Sequence, residues 1–323
     1  MARLLKEEDI RSLLTMDDAL QAVEDAFRSV SRGEAVNVSR HRGALNGATI
    51  NAMGAMSTAL DLMAMKIYPI VRQDVTVGSS FQVLAYRMST GALVGVLEAE
   101  YLAQVRTGAA SGVASRHLAR PGSRVMTLFG AGWQARGQLD AIVRAVPALE
   151  RVLVVGRSPA RVEQFCREMN GHRGLQVIAA GDPERAVREA DIVTTVTGSA
   201  MPVFDGRWLQ PGVHVNAVGS NFAQKQEIDA FAVGRADRIV VDDLVVARTE
   251  CGDLLAAEAA TGLDWSSIAA LGDVVDGRLP GRTAADQITL FESQGIGLED
   301  LAMASLILKR AEACGAGIEI PLR

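Results

Sequence analysis

The chain has 323 residues, 49% apolar and 22% charged, with a formal net charge of −5. That composition supports a sizeable core and excludes a disordered chain, and the length suits two domains or one large one. The acidic balance gives no electrostatic footprint for nucleic acid or an anionic membrane surface, so neither is expected as a partner.

The opening residues, MARLLKEEDIR, are charged and lack an apolar h-region, so no secretory signal is expected. No apolar run reaches the ~20 residues that a membrane span requires. A cytoplasmic location is the expectation. Cys166, Cys251 and Cys314 lie far apart without a CxxC and read as buried, inert thiols. His41, His117, His172 and His214 share no metal-ligand spacing, so no metal site is expected. Lysine occurs only at Lys6, Lys66, Lys225 and Lys309 in a chain otherwise rich in arginine, so the place of each carries weight.

In chain order, residues 12–32 read as an amphipathic helix. Thr15 and Asp18 resemble a capping box, Leu20, Val23, Ala26, Phe27 and Val30 share a face, and Gly33 ends it. Residues 36–99 read as strands, with breaks at NG, RQD and STG. Residues 101–119 form a helix rich in small side chains, closed by Pro121 and Gly122. The runs VMTLF, RVLVV, LQVIA, DIVTTV, VHVNAV and RIVV then alternate with helical or turn segments, which predicts a parallel sheet covered on both faces. The last piece, LEDLAMASLILKRAEA, is apolar almost all round, as a helix buried in a domain or subunit interface would be.

FGAGWQARG, residues 129–137, follows VMTLF and opens a helix, the context a dinucleotide loop requires. Gly130 would make the tight turn and Gly132 would admit the pyrophosphate. Ala135 would keep helix and strand close. The acid that usually ends the next strand and binds the ribose hydroxyls is missing; RVLVVGRSPAR stands there. Arg157, Ser158 and Arg161 suit a 2′-phosphate, so NADP(H) is expected, with NAD(H) as the other form. The plainer reading is a solvated basic helix start.

Three basic residues stand out. Lys66, in LDLMAMKIYPIV, is costly to bury unless paired or neutral; it either does chemistry or snorkels from an edge strand. Arg106, in VRTGAASG, could clamp a carboxylate in two-pronged fashion or lie on a helix surface. Arg40, in VSRHRG, is a weaker candidate of the same kind. The run GVHVNAVGSN ends a strand in small and polar residues, so Asn216, Gly219, Ser220 and Asn221 are expected near a nicotinamide, as is Thr197 in TTVTGS. His214 reads as structural.

The set RTGAASG, GAGWQA, ADIVTTVTGSAMPVF, PGVHVNAVGSN, LPGR and SQGIGLEDLAMA resembles the ornithine cyclodeaminase/mu-crystallin family, in order, over nearly the whole chain. The resemblance implies an α/β protein: a Rossmann-type doubly wound parallel sheet, residues 120–300, plus an α+β substrate-binding and dimerisation domain. The latter would comprise residues 1–119 with 301–323. It implies a homodimer that works with NAD(H) or NADP(H) on small amino acids, keto acids or cyclic imines. By position, Arg40, Lys66 and Arg106 match the family's carboxylate-binding and catalytic basic residues. Trp133 and Gln134 match the cofactor loop, and His214 to Ala217, Val218 and Lys225 the nicotinamide contacts. Gln294 matches a residue lining the substrate pocket.

One position departs from the family's namesake. Its cyclodeaminases carry an aspartate in the loop after NAVG, where this chain has Asn221. An amide cannot take a proton as a carboxylate can. The expected activity is therefore NADPH-dependent reduction of a small 2-imino acid, cyclic or open, to the L-amino acid. The alternatives are cyclodeaminase-type ammonia elimination with tightly bound NAD, an alanine dehydrogenase-like enzyme, or an NADP-binding protein with little catalysis.

Overall fold

Hairpin turns, capped helices and two sheets account for most of the computed structural model, which describes residues 1–71 and 80–321. In chain order the elements begin with β1 (Ala2–Leu5), α1 (Glu7–Leu13), α2 (Met16–Ser31), β2 (Ala35–Leu45), β3 (Ala48–Ser57), β4 (Leu62–Val71), β5 (Gln82–Arg87), β6 (Leu93–Glu98) and α3 (Glu100–Leu118). Next come β7 (Val125–Phe129), α4 (Trp133–Ala145), β8 (Arg151–Val155), α5 (Pro159–Met169), β9 (Gln176–Ala179), α6 (Pro183–Glu189), β10 (Ile192–Thr195) and β11 (His214–Ala217). The chain continues through α7 (Ala230–Gly234), β12 (Arg238–Val241), α8 (Leu244–Glu250), α9 (Gly252–Thr261), β13 (Ala269–Ala270), α10 (Leu271–Val275) and β14 (Thr289–Glu292). It closes with α11 (Gly297–Cys314) and β15 (Ile318–Ile320).

Contacts divide the chain into Met1–Thr107 with Ile296–Arg323, and Gly108–Gly295. Both divisions fall earlier than the expected 119/120 and 300/301, and glycine packing explains why. A Cβ on Gly108 would lie 2.2 Å from the Gly137 carbonyl oxygen, so the second half of α3 belongs with α4. A Cβ on Gly297 would lie 2.3 Å from the Gly54 carbonyl oxygen, so α11 joins β3 from its first residue.

The first unit holds a seven-stranded sheet, ordered β15-β1-β6-β5-β4-β3-β2. The NG turn joins β2 to β3, with Asn46 at φ 48° and Gly47 at φ 80°, the left-handed pair that a two-residue hairpin needs. The expected break at RQD lies outside the described residues. Thr15 caps α2, accepting from Asp18 N at 3.3 Å, and Leu20, Val23, Ala26 and Phe27 are buried while Val30 is only partly so. Phe27→Ala would cost about 3–5 kcal/mol. The helix starts at Met16 rather than at 12, because a separate helix, α1, precedes it. The sequence reading missed α1; Asp9 Oδ2 caps it by accepting from Lys6 N at 2.9 Å. Along β4 the buried and less buried residues alternate, which puts Leu62, Ala64, Lys66 and Tyr68 on the inner face.

The second unit holds an eight-stranded sheet, ordered β13-β12-β14-β11-β10-β7-β8-β9, with every pairing parallel. The order reverses between β7 and β10, a topological switch point at which α/β sheets form their ligand crevice. Each of the six runs expected as strands contains one. The central strand β14 was missed: four residues, TLFE, buried on both faces, give no alternation to read. Cys166 and Cys251 are buried as expected, but Cys314 is exposed, because it ends α11 just before Gly315 turns the chain with φ 72°.

Candidate functional site

In the second unit, the carboxyl ends of β7, β8 and β10 border a cavity of about 550 Å³. Gly130, Gly132, Arg157, Ser158, Arg161 and Thr197, all singled out in the sequence, line it together with Phe129, Gly156 and Gly198. No carboxylate is among its described lining residues. Gly130 has φ +110°, and a Cβ there would lie 2.6 Å from the Val196 carbonyl oxygen, so the tight turn requires glycine. A Cβ on Gly132 would meet nothing within 4 Å. Its backbone thus stands open to an approaching group.

Helix α4 starts from Gly132 with no side-chain cap and no acid in its first turn. By contrast, Asp182, Asp229 and Asp243 cap α6, α7 and α8. The first-turn N–H groups of α4 and the positive end of its dipole are left for an anion. Trp133 and Gln134 are half-buried in that turn. Ala135 is fully buried among Met126, Leu128 and Leu139, so its contribution is close packing rather than contact with a ligand. Arg157 and Arg161 are exposed. The Ser158 hydroxyl accepts from Arg161 N at 3.5 Å and so also caps α5. The cavity therefore offers backbone donors and basic side chains of the kind a dinucleotide site needs.

The strand-end loops are held from beneath by a carboxylate that the sequence reading missed. Glu227 accepts from Thr195 Oγ1 at 2.9 Å, Thr197 N at 2.5 Å and Gly219 N at 2.6 Å. Its own N–H donates to Asp253 Oδ1 at 2.8 Å. Burial raises the Glu227 pKa and pushes Asp253 up to about 7. Asp242 works similarly: its Oδ2 accepts from Gln294 N at 2.8 Å, Gly295 N at 2.7 Å and Ser293 Oγ at 3.1 Å. The backbone of the buried Gln294 is thereby fixed.

Asn216, expected near a nicotinamide, has its side chain bonded inside the protein. The amide is fully buried, donating to Ser115 Oγ at 3.1 Å and lying 3.1 Å from His214 Nε2. His214 is equally buried; burial, aided by Arg282, holds its pKa near 3, so it stays neutral and structural. Ala217 and Val218 are buried too. Gly219, Ser220, Asn221 and Lys225 lie half-buried in the loop beyond β11, with Lys225 Nζ 5.2 Å from the Phe222 ring centre.

In the first unit, Lys66, Arg106 and Arg40 come together although 26 and 40 residues separate neighbours in sequence. Pairing of β2 with β3 slips between Val38 and His41, so Ser39 and Arg40 together oppose Met53. This bulge aims Arg40 inward, with NH2 3.3 Å from Met53 Sδ. Met53 pairs in turn with Lys66 on β4.

Lys66 is only 2% exposed, which rules out a snorkelling edge lysine. Its Nζ donates to Asp300 Oδ1 at 3.1 Å and lies 5.5 and 5.3 Å from the Tyr68 and Phe81 ring centres. Burial, then the Arg106 charge, lower its pKa to about 8 despite Asp300. Arg106 NH1 donates to Glu299 Oε2 at 2.7 Å, and Nε lies 3.5 Å from Asp300 Oδ1. Burial opposes its charge, but Asp300 and Glu299 raise its proton affinity above the ordinary guanidinium value. Arg106 is therefore not a surface residue, and part of its donor fork is already engaged. Glu299 and Asp300 were not singled out in the sequence, where LEDL reads as an ordinary acidic first turn.

The ornithine cyclodeaminase/mu-crystallin family model matches residues 2–315. A Δ1-pyrroline-2-carboxylate reductase of Bacillus cereus is 32% identical, over 98% of this chain and 99% of that one. Among solved structures, the Δ1-pyrroline-2-carboxylate reductase of Thermococcus litoralis in complex with NADH and L-proline superposes with a TM-score of 0.93 at 29% identity, covering 98% of this chain and 100% of that one. An archaeal alanine dehydrogenase dimer with bound NAD gives the same TM-score and identity, covering 100% and 99%. The chain belongs to the ornithine cyclodeaminase/mu-crystallin family.

Proposed function

We propose that this protein is an oxidoreductase acting on C–N bonds, and that it reduces a small 2-imino acid to the L-amino acid with NADPH. The relatives named as pyrroline-2-carboxylate reductases support the reaction class. The observation that carries the reading is Lys66: a buried ammonium with its pKa near 8, grouped with Arg106 and Arg40. An acid poised near working pH both delivers and regains a proton readily. Three cations beside two carboxylates leave one positive charge in the group, which suits one substrate carboxylate.

The nicotinamide, when bound, supplies the hydride that reduces the C=N carbon. The chain's own residues do the rest. Arg40 and the remaining donors of Arg106 orient the substrate carboxylate, and Lys66 Nζ gives its proton to the imine nitrogen. Gly130, Gly132 and the first turn of α4 receive the pyrophosphate. Arg157, Ser158 and Arg161 take the 2′-phosphate, a preference supported by a cavity without carboxylates among its described lining residues. Trp133, Gln134 and Thr197 border the dinucleotide, the backbone from Asn216 to Ser220 and Lys225 border the nicotinamide, and Gln294 lines the substrate pocket. Asn221 offers no general base, which argues against ornithine cyclisation. We further propose a cytoplasmic homodimer.

The test is steady-state NADPH oxidation with pyrroline-2-carboxylate, piperideine-2-carboxylate and keto acids with amines. Turnover on the cyclic imines is expected; none on any member of the panel overturns the reading.

A further inference from the structure

The first turn of α11 is pressed onto the sheet by Gly297, whose position admits no Cβ beside Gly54. Gly54 follows Met53, the cross-strand partner of Lys66. This close approach carries Glu299 and Asp300, both almost fully buried, up to the two cations. They do different things there. Asp300 Oδ1 lies within reach of both Lys66 Nζ, at 3.1 Å, and Arg106 Nε, at 3.5 Å. Glu299 Oε2 binds Arg106 alone, at 2.7 Å. Glu299 Oε1 and Asp300 Oδ2 carry no hydrogen bond among the described residues. Two carboxylates each with an unused oxygen, in a place closed to water, are costly unless their charge is needed.

We propose that Asp300 is the positioning residue for the proton-donating lysine: it fixes Lys66 Nζ in place and keeps it an ammonium until the proton is delivered, while Glu299 serves Arg106. The assignment rests on the reading of Lys66 as the acid. The charged and titratable groups facing Lys66 are Arg40 from β2, Tyr68 from β4, Arg106 from α3, and Glu299 and Asp300 from α11. Of the two carboxylates, only Asp300 bonds to it. Without Asp300, burial and two arginines would act on the ammonium with little opposition.

Lysine scarcity makes this directly measurable. In full-length protein labelled at lysine Cε and Nζ, four signals arise, from Lys6, Lys66, Lys225 and Lys309. The one lost in Lys66→Arg is Lys66. Its titration midpoint should lie near pH 8 in the wild type and fall by about one pH unit or more in Asp300→Asn. Glu299→Gln should move it less. An unmoved midpoint in Asp300→Asn, or an equal shift in Glu299→Gln, overturns the assignment. Should Asp300→Asn fail to fold, Asp300→Glu carries the test: the midpoint should stay near 8 while kcat drops about tenfold from misplacement, with NADPH affinity intact. An unchanged kcat there overturns it too. The titration needs no turnover, so an unproductive substrate panel would remove the reductase reading while the coupling of Asp300 to Lys66 is still read from the midpoint.

Discussion

The two units hold charge by opposite means. In the first, charge is buried and balanced: Lys66 and Arg106 against Asp300 and Glu299, with Arg40 brought in by a bulge. In the second, the cavity at the switch point has no carboxylate among its described lining residues and offers backbone N–H groups and exposed arginines. The contrast separates two tasks. Moving a proton calls for a group whose affinity is tuned by neighbours shielded from water. Holding a phosphate calls only for donors that were never satisfied elsewhere.

The sharpest way to break the comparison is Lys66→Ala. It should lower kcat by about 10²–10⁴-fold and leave NADPH affinity unchanged, measured by fluorescence titration. A fully active variant would remove Lys66 from the chemistry. The same group sets the sign of the pH profile. An acid with its pKa near 8 is charged below that pH, so kcat should fall as pH rises through about 8.

Two glycines two residues apart probe the second unit. Gly132→Val should block NADPH binding while the melting temperature barely moves, because its side chain would enter the open cradle. Gly130→Ala should instead destabilise the fold by about 1–3 kcal/mol in urea unfolding, given its positive φ and the Val196 carbonyl. If both only destabilise, the cradle is not a ligand site. An effect of similar size, confined to one cofactor, is expected of Arg157→Ala. NADPH affinity should fall about 10–100-fold, or ~1.5–3 kcal/mol for bonds to a charged group, with NADH affinity unchanged. Equal losses for both cofactors would point to the solvated helix start instead.

How much of this could be read in the sequence follows the same division. The nucleotide cradle is local: a strand, a glycine turn and a helix start within FGAGWQARG, and an absent acid one strand later. Each part is legible because its partners lie within a few dozen residues. The charge network is not. Lys66 and Asp300 are 234 residues apart, Arg106 and Glu299 are 193. Lys66 stood out because lysine is rare and its surroundings apolar. Glu299 and Asp300 fall within a run that resembles the family but were given no role, because acids in a helix's first turn are common on surfaces. Glu227 and Asp242 escaped for a related reason, since their partners are backbone N–H groups of distant loops. Strand β14 was lost because a short run buried on both faces has no period.

Product stoichiometry tests the central claim most directly. With pyrroline-2-carboxylate and NADPH, one L-proline should form for each NADPH consumed, and Lys66→Ala should slow its formation by about 10²–10⁴-fold. Proline and ammonia formed from ornithine with no net change in the cofactor, or no amino acid formed from any imine of the panel, would contradict the account.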